Sequence, residues 1–151
     1  MNQADVERLA RDTLAAHPSM FLATAGDAGP WVNGVYFAEK GLYTLFLVLE
    51  QRGRTLAAIR SQPRVAVIVS TASPGDPFLQ ATAEAEVLEG MAAEHARETL
   101  LRKVPQATPF VDTPIETVRL TVAGWRVTDI PNGWLPGVEL PNPNRLAHTS
   151  A

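Results

Sequence analysis

The sequence predicts a mainly β protein, a six-stranded antiparallel barrel with helical additions. Six apolar or alternating runs, at residues 20–25, 31–38, 42–49, 64–71, 78–89 and 115–130, are joined mostly by tight turn chemistry. Helical patterning falls at the amino terminus, after the third strand and before the last one. No Gly-rich loop of the Walker or dinucleotide type is present, so a parallel nucleotide-binding fold is not implied.

Residues 3–16 place Val6, Leu9, Ala10, Thr13 and Leu14 at spacings of three and four, the stripe of an amphipathic helix, and Pro18 ends it. The apolar run 20–25 is followed by Gly26-Asp27-Ala28-Gly29-Pro30, turn chemistry that folds it into a hairpin with 31–38. Glu39-Lys40-Gly41 turns the chain into 42–49, which is apolar on both faces apart from Thr44. A short helix follows, broken by Pro63, and then a strand rich in β-branched residues. In 78–89, Leu79, Ala81, Ala83, Ala85 and Val87 alternate with Gln80, Thr82, Glu84 and Glu86, so one face is wet or lines a polar site. Residues 91–104 read as a charged helix, 105–114 as a proline-punctuated loop, and 115–130 as a long strand interrupted at Gly124. The expected organisation is one domain: helix 1–18, barrel 19–130, and an irregular tail 131–151.

Composition narrows the function classes. With 151 residues, 46% of them hydrophobic, the chain is long enough for a real core. A formal charge of −3 without a basic block argues against a nucleic-acid partner. There is no cysteine, which excludes disulfides, thiolate metal sites and cysteine nucleophiles. The mixed-charge amino terminus lacks the apolar stretch of a secretory signal and no segment has the length of a membrane span, so a cytoplasmic protein is expected. His17, His95 and His148 are scattered, with no metal spacing, and no serine elbow exists. Any chemistry is therefore expected to belong to a cofactor.

The most informative run is 42–71: strand, basic glycine turn, short helix, proline, strand. It sets Arg52, Gly53, Arg54 and Thr55 at a helix start, where unpaired N–H groups and the dipole favour an anion and two cations are awkward. Either Glu50 pairs with the arginines across solvent, or guanidinium forks, the Thr55 hydroxyl and the Gly53 backbone hold a phosphate. The strand 42–49 has too much apolar surface to be half exposed, and a homodimer is the simpler cover for its second face.

These residues resemble the FMN-binding split barrels of the pyridoxamine 5′-phosphate oxidase-like superfamily. The likeness runs from Met20 to Ile130 and is carried by Ala23-Thr24, Gly29-Pro30, the basic turn and helix, Gln62-Pro63-Arg64-Val65, and Gln80 before Ala83-Glu84-Ala85. It implies a six-stranded antiparallel split barrel, a homodimer with two clefts, and a flavin phosphate held by Arg52, Arg54 and Thr55. It also implies a ring lying along Asn33, Gly34, Val35 and Tyr36 and against Val48 and Leu49, with Gln80 contributing from the barrel wall. Val48-Leu49 stands where such proteins often carry a polar pair, and Thr55 where a lysine is common. The carboxy-terminal Asn144-Arg145-Leu146-Ala147-His148 lacks the tryptophan and final proline of the vitamin B6 oxidases proper, so oxidation of pyridoxamine phosphate is not expected.

The resulting expectation is an FMN-binding oxidoreductase for a small organic substrate, with a deazaflavin as a related occupant. A non-catalytic flavin or haem carrier and a cofactor-free structural dimer are the alternatives. Trp31, Tyr36, Phe37 and Trp134 are aromatic candidates for a planar ring, or else core fillers. Trp134, in the turn-rich 132–137, is expected at the cleft or at a subunit interface.

Overall fold

The computed structural model describes residues 2–144. Helix α1 (Gln3–Ala16) is followed by strands β1 (Ser19–Gly26), β2 (Gly29–Tyr36), β3 (Ala38–Lys40) and β4 (Thr44–Glu50), then by helix α2 (Arg54–Ser61). Strands β5 (Arg64–Val69) and β6 (Phe78–Leu88) lead to α3 (Gly90–Lys103) and the short α4 (Thr108–Val111). Strands β7 (Ile115–Val122), β8 (Gly124–Asp129) and β9 (Trp134–Pro141) complete the described chain. Among the described residues no helix is long and apolar enough to cross a membrane.

All strand pairs are antiparallel, and the main path through the sheet runs β2-β1-β5-β6-β7-β4-β3. In a flat sheet the two ends of that path would stand about 29 Å apart, at about 4.8 Å per strand. Yet one residue, Phe37, separates β2 from β3, and one residue bridges no more than about 7 Å between its neighbours' Cα atoms. The sheet therefore curls until its ends meet. The strand β6 is shared, pairing with β8 through Phe78–Gln80 positions and with β7 through its later residues. The fold is the predicted mainly β split barrel with helices.

Phe37 is fully buried, and its N–H donates to the Pro18 carbonyl at 3.1 Å. Lys103 Nζ lies 3.8 Å from the Phe37 ring centroid, donates to Glu39 Oε1 at 2.6 Å and reaches the Leu14 carbonyl at 2.8 Å. Burial pushes the Lys103 ammonium below its ordinary range, and the Glu39 contact opposes that shift. One side chain thus ties the end of α1, the β2-to-β3 crossing and α3 together.

The structure corrects several expectations. The second face of β4 is covered within the chain: Phe46 packs with Leu88, Ala93 and Ala96, and Val48 packs against the cluster of Leu100 and Val104. Helix α3 supplies that cover, so β4 no longer calls for a second subunit. Among the described residues nine strands replace six because Ala38–Lys40 forms its own strand, 115–130 divides at Ala123, and the tail adds β9. Residues 134–141 are not irregular, since Trp134–Pro141 pairs with β8 and satisfies backbone groups that a loose tail would leave to water. Gly124 makes this possible, because a Cβ there would sit 3.0 Å from Pro141 Cα. The tail motif at residues 145–148, with His148, lies outside the described residues.

The main core gathers both helix α1 and the inner faces of the sheet, with Trp125 fully buried at its centre. Trp125 Nε1 donates to the Leu42 carbonyl at 2.6 Å. Trp125→Phe leaves that buried carbonyl without its donor, and should lower unfolding free energy by about 1–3 kcal/mol in urea titration.

Candidate functional site

Strands β2 and β4 come side by side without hydrogen-bonding to each other. Strand β2 pairs only with β1, and β3 covers β4 only from Thr44 to Phe46. The far half of β4 and the outer edge of β2 therefore face each other with backbone N–H and C=O groups available. A cavity of about 800 Å³ occupies this seam, lined on the strands by Asn33, Val35, Tyr36, Val48, Leu49 and Glu50. Ser19, Gly34 and the loop residues Phe110, Thr113, Pro114 and Ile115 complete its wall.

Side-chain alternation gives the cleft two unlike sides. Leu45, Leu47 and Leu49 point into the main core, as Val35 does from β2. Phe46 and Val48 point the other way, onto the α3 clusters, and the same register carries Glu50 to that side with Ile115 opposite it. Asn33 shares the inner side, cross-strand from the buried Leu22, and its Nδ2 donates to Thr55 Oγ1 at 3.3 Å. This bond joins the cleft wall to the first turn of α2.

The start of α2 is open to an anion. Gly53 is its N-cap and supplies no side-chain hydrogen bond, and the first turn holds no acidic residue. Arg54 turns toward the β1–β2 hairpin, donating from Nη2 to the Ala28 carbonyl at 3.1 Å and stacking 4.1 Å above the Trp31 ring centroid. That bond uses one of its five N–H donors. Arg52 is exposed and has no side-chain partner among the described residues. Glu50 pairs with neither arginine. Thr24 stands cross-strand from Trp31, and its buried Oγ1 has no hydrogen-bond partner among the described residues. Basic groups and uncapped N–H groups at one helix start are what a phosphate group needs nearby.

Within one chain, then, Asn33, Gly34, Val35 and Leu49 line one cavity. Arg52, Arg54 and Thr55 stand beside it at the helix start, joined to it through Asn33. Gln80 does not join them: it lies on the outer face of β6, opposite Ile68 and Arg126, with β5 and β1 between it and β2. Trp134 does not cover the cleft either, because β9 carries it to a different cavity, shared with Arg8, Leu9 and Asp129 between α1 and the end of β8. Phe37 is a core residue, and Trp31 is a platform for Arg54. Sequence reasoning missed Phe110, Thr113 and Pro114, although an aromatic inside a proline-punctuated loop was a usable sign.

Burial raises the Tyr43 phenol, with Glu7 adding to the rise, and burial lowers Lys103. Among the described residues no cluster of three or more histidines and carboxylates could hold a metal.

The family described as pyridoxamine 5′-phosphate oxidase matches residues 6–129. No curated protein sequence matches the chain. Among solved structures, a heme binding protein from Mycobacterium smegmatis is 19% identical with a TM-score of 0.76, the match covering 97% of this chain and 62% of that one. Campylobacter jejuni ChuZ is 14% identical with a TM-score of 0.78, over 95% of this chain and 62% of that one. The heme storage protein HutZ from Vibrio cholerae is 16% identical with a TM-score of 0.61, over 78% of this chain and 89% of that one. The chain thus spans under two thirds of the first two proteins, and at these identities the likeness is one of fold.

The approach of α2 to the sheet depends on Gly26, where a Cβ would lie 2.5 Å from Ala58 Cα. At Gly34 a Cβ would meet nothing within 4 Å. Gly26→Ala should push α2 outward and lower the melting temperature by several degrees, corresponding to about 1–3 kcal/mol of overpacking, while Gly34→Ala should leave it unchanged or raised. Thermal denaturation of the two variants side by side checks the contrast.

Proposed function

Because the chain belongs to the pyridoxamine 5′-phosphate oxidase family, we propose that its cleft holds FMN and that the protein is a flavin-dependent oxidoreductase for a small organic substrate. The observation that carries this reading is the hydrogen bond from Asn33 to Thr55, which links a seam of about 800 Å³ to an uncapped, doubly basic helix start. A flat heterocycle with a phosphate on a short tether matches that arrangement.

Arg52, Arg54, Thr55 and the first N–H groups of α2 would hold the phosphate. Val35 and Leu49 offer apolar contact to the ring, and the free strand edges of β2 and β4 offer in-plane hydrogen bonds. Phe110 and Pro114 narrow the mouth and exclude water. When bound, the flavin supplies the redox chemistry, for which the cleft has no acid–base constellation of its own. A deazaflavin with the same phosphate tether would use the same residues.

Haem carriage is the second reading, suggested by the proteins from M. smegmatis and V. cholerae described as heme binding and heme storage. The cleft lining favours flavin. Among the described residues no histidine, cysteine or methionine lines it, and Tyr36 is the one residue there of a type that serves as an axial haem ligand. A homodimer belongs to the same proposal. Its support has moved from β4 to the outer face of β1 and β2, where Phe21 is 45% and Val32 61% exposed. Gln80 shares that outer face, so its route to a cleft would be across the dimer.

Two measurements test this. FMN should bind with its visible absorbance bands, and Arg52→Ala or Arg54→Ala should weaken it by about 1.5–3 kcal/mol while riboflavin binding changes far less. Equal losses for both ligands would mean the arginines serve the fold. Sedimentation should show a dimer at micromolar concentration, and Val32→Asp should shift it to monomer.

A further inference from the structure

We propose that the α4 side of the cleft is a substrate subsite that selects planar aromatic cations and disfavours anions. The proposal rests on the preceding reading, in which the substrate sits in this seam beside the cofactor.

Glu50 is the one charged residue lining the cavity, and it stands on the α4 side with Val48, away from the basic start of α2. The arginines nearest in sequence do not neutralise it. Arg54 is committed to Ala28 and Trp31, Arg60 reaches Glu116 at 3.8 Å, and Arg52 does not line the cavity. Among the described residues Glu50 has no ion-pair partner. A ligand on this side therefore meets a carboxylate and no cation.

Two aromatic residues, Tyr36 and Phe110, line the same cavity. Phe110 is 55% exposed and meets Tyr36 edge-on, with ring centroids 5.7 Å apart and planes at 63°. An edge-to-face pair uses one ring face and leaves others for a third ring or a cation. Phe110 is also held in place before any ligand arrives. Thr108 Oγ1 donates to the Pro105 carbonyl and Thr113 Oγ1 to the Phe110 carbonyl, both at 2.6 Å, and the Gln51 N–H donates to the Pro114 carbonyl at 3.0 Å. The loop is thereby tied to itself and to the end of β4. A preorganised aromatic beside an unpaired carboxylate is the recognition chemistry of an organic cation.

Benzamidine, benzamide and benzoate share one planar shape and carry charges of +1, 0 and −1, so they isolate the charge preference. Their binding is read by titration calorimetry on the protein with and without FMN. Benzamidine should bind about fivefold tighter than benzamide, and benzoate weakest. Glu50→Gln should bring benzamidine to within about twofold of benzamide. Phe110→Ala should weaken benzamidine and benzamide together. Benzoate binding as tightly as benzamidine, or Glu50→Gln leaving the order unchanged, overturns the subsite. If the order holds while FMN fails to bind, the cofactor reading falls and the subsite stands. If FMN binds and the order fails, the reverse is true.

Discussion

The crossing at Phe37 is the constraint on which the rest of the structure depends. Strands β2 and β3 lie at opposite ends of the sheet's order and are adjacent in the chain, so the sheet has to curl. The crossing also stops the curl from closing. Beyond it β3 occupies the edge of β4 for three residue pairs only, and β2 has already left toward β1, so the remaining halves of β2 and β4 face each other unpaired. An unpaired pair of edges is a liability at a protein surface and an asset around a flat ligand. The Lys103 contacts to Phe37, Glu39 and Leu14 hold the crossing where it is.

From that seam the two chemistries of the cleft follow by alternation. A strand presents successive side chains to opposite sides, so neighbouring residues Leu49 and Glu50 serve different environments. The inner side leads through Asn33 to a helix start with positive character. The outer side carries an aromatic loop and a carboxylate. Charge is thus segregated across a single strand, with the basic helix start and the carboxylate kept on separate walls.

The chain's local choices were largely legible before folding. Helix α1 was readable over residues 3–16 because its apolar spacing, its polar remainder and Pro18 agree. The β1–β2 hairpin was readable from its Gly and Pro turn, and the interruption at Gly124 from a residue without a side chain in a long strand. Arg52, Arg54 and Thr55 at a helix start, with Asn33 and Leu49 on strands, were legible as a candidate site because each depends on its own element. Cover was not legible in the same way. The doubly apolar β4 announced that something must bury Phe46 and Val48, and α3 and a second subunit satisfy that demand equally well on paper. Tail residues 134–141 read as irregular because Pro136, Gly137 and Pro141 weaken strand propensity, which pairing with β8 overrides.

What the sequence by itself determined is the set of elements, their mostly antiparallel connection and the basic start of α2, since periodicity, turn residues and helix polarity act over a few residues. What only the tertiary structure decided is which strand edges remain unpaired and which side chains therefore meet. Gln80 and Trp134 were plausible ring contacts by type, yet strand order carried the first to the barrel's outer face and the second to the α1 cavity. Phe110 and Glu50, about 60 residues apart in the chain, became neighbours of one cleft through the antiparallel register of β4 and β7. Register and order are set by burial summed over the whole core, and no local run of residues contains that sum.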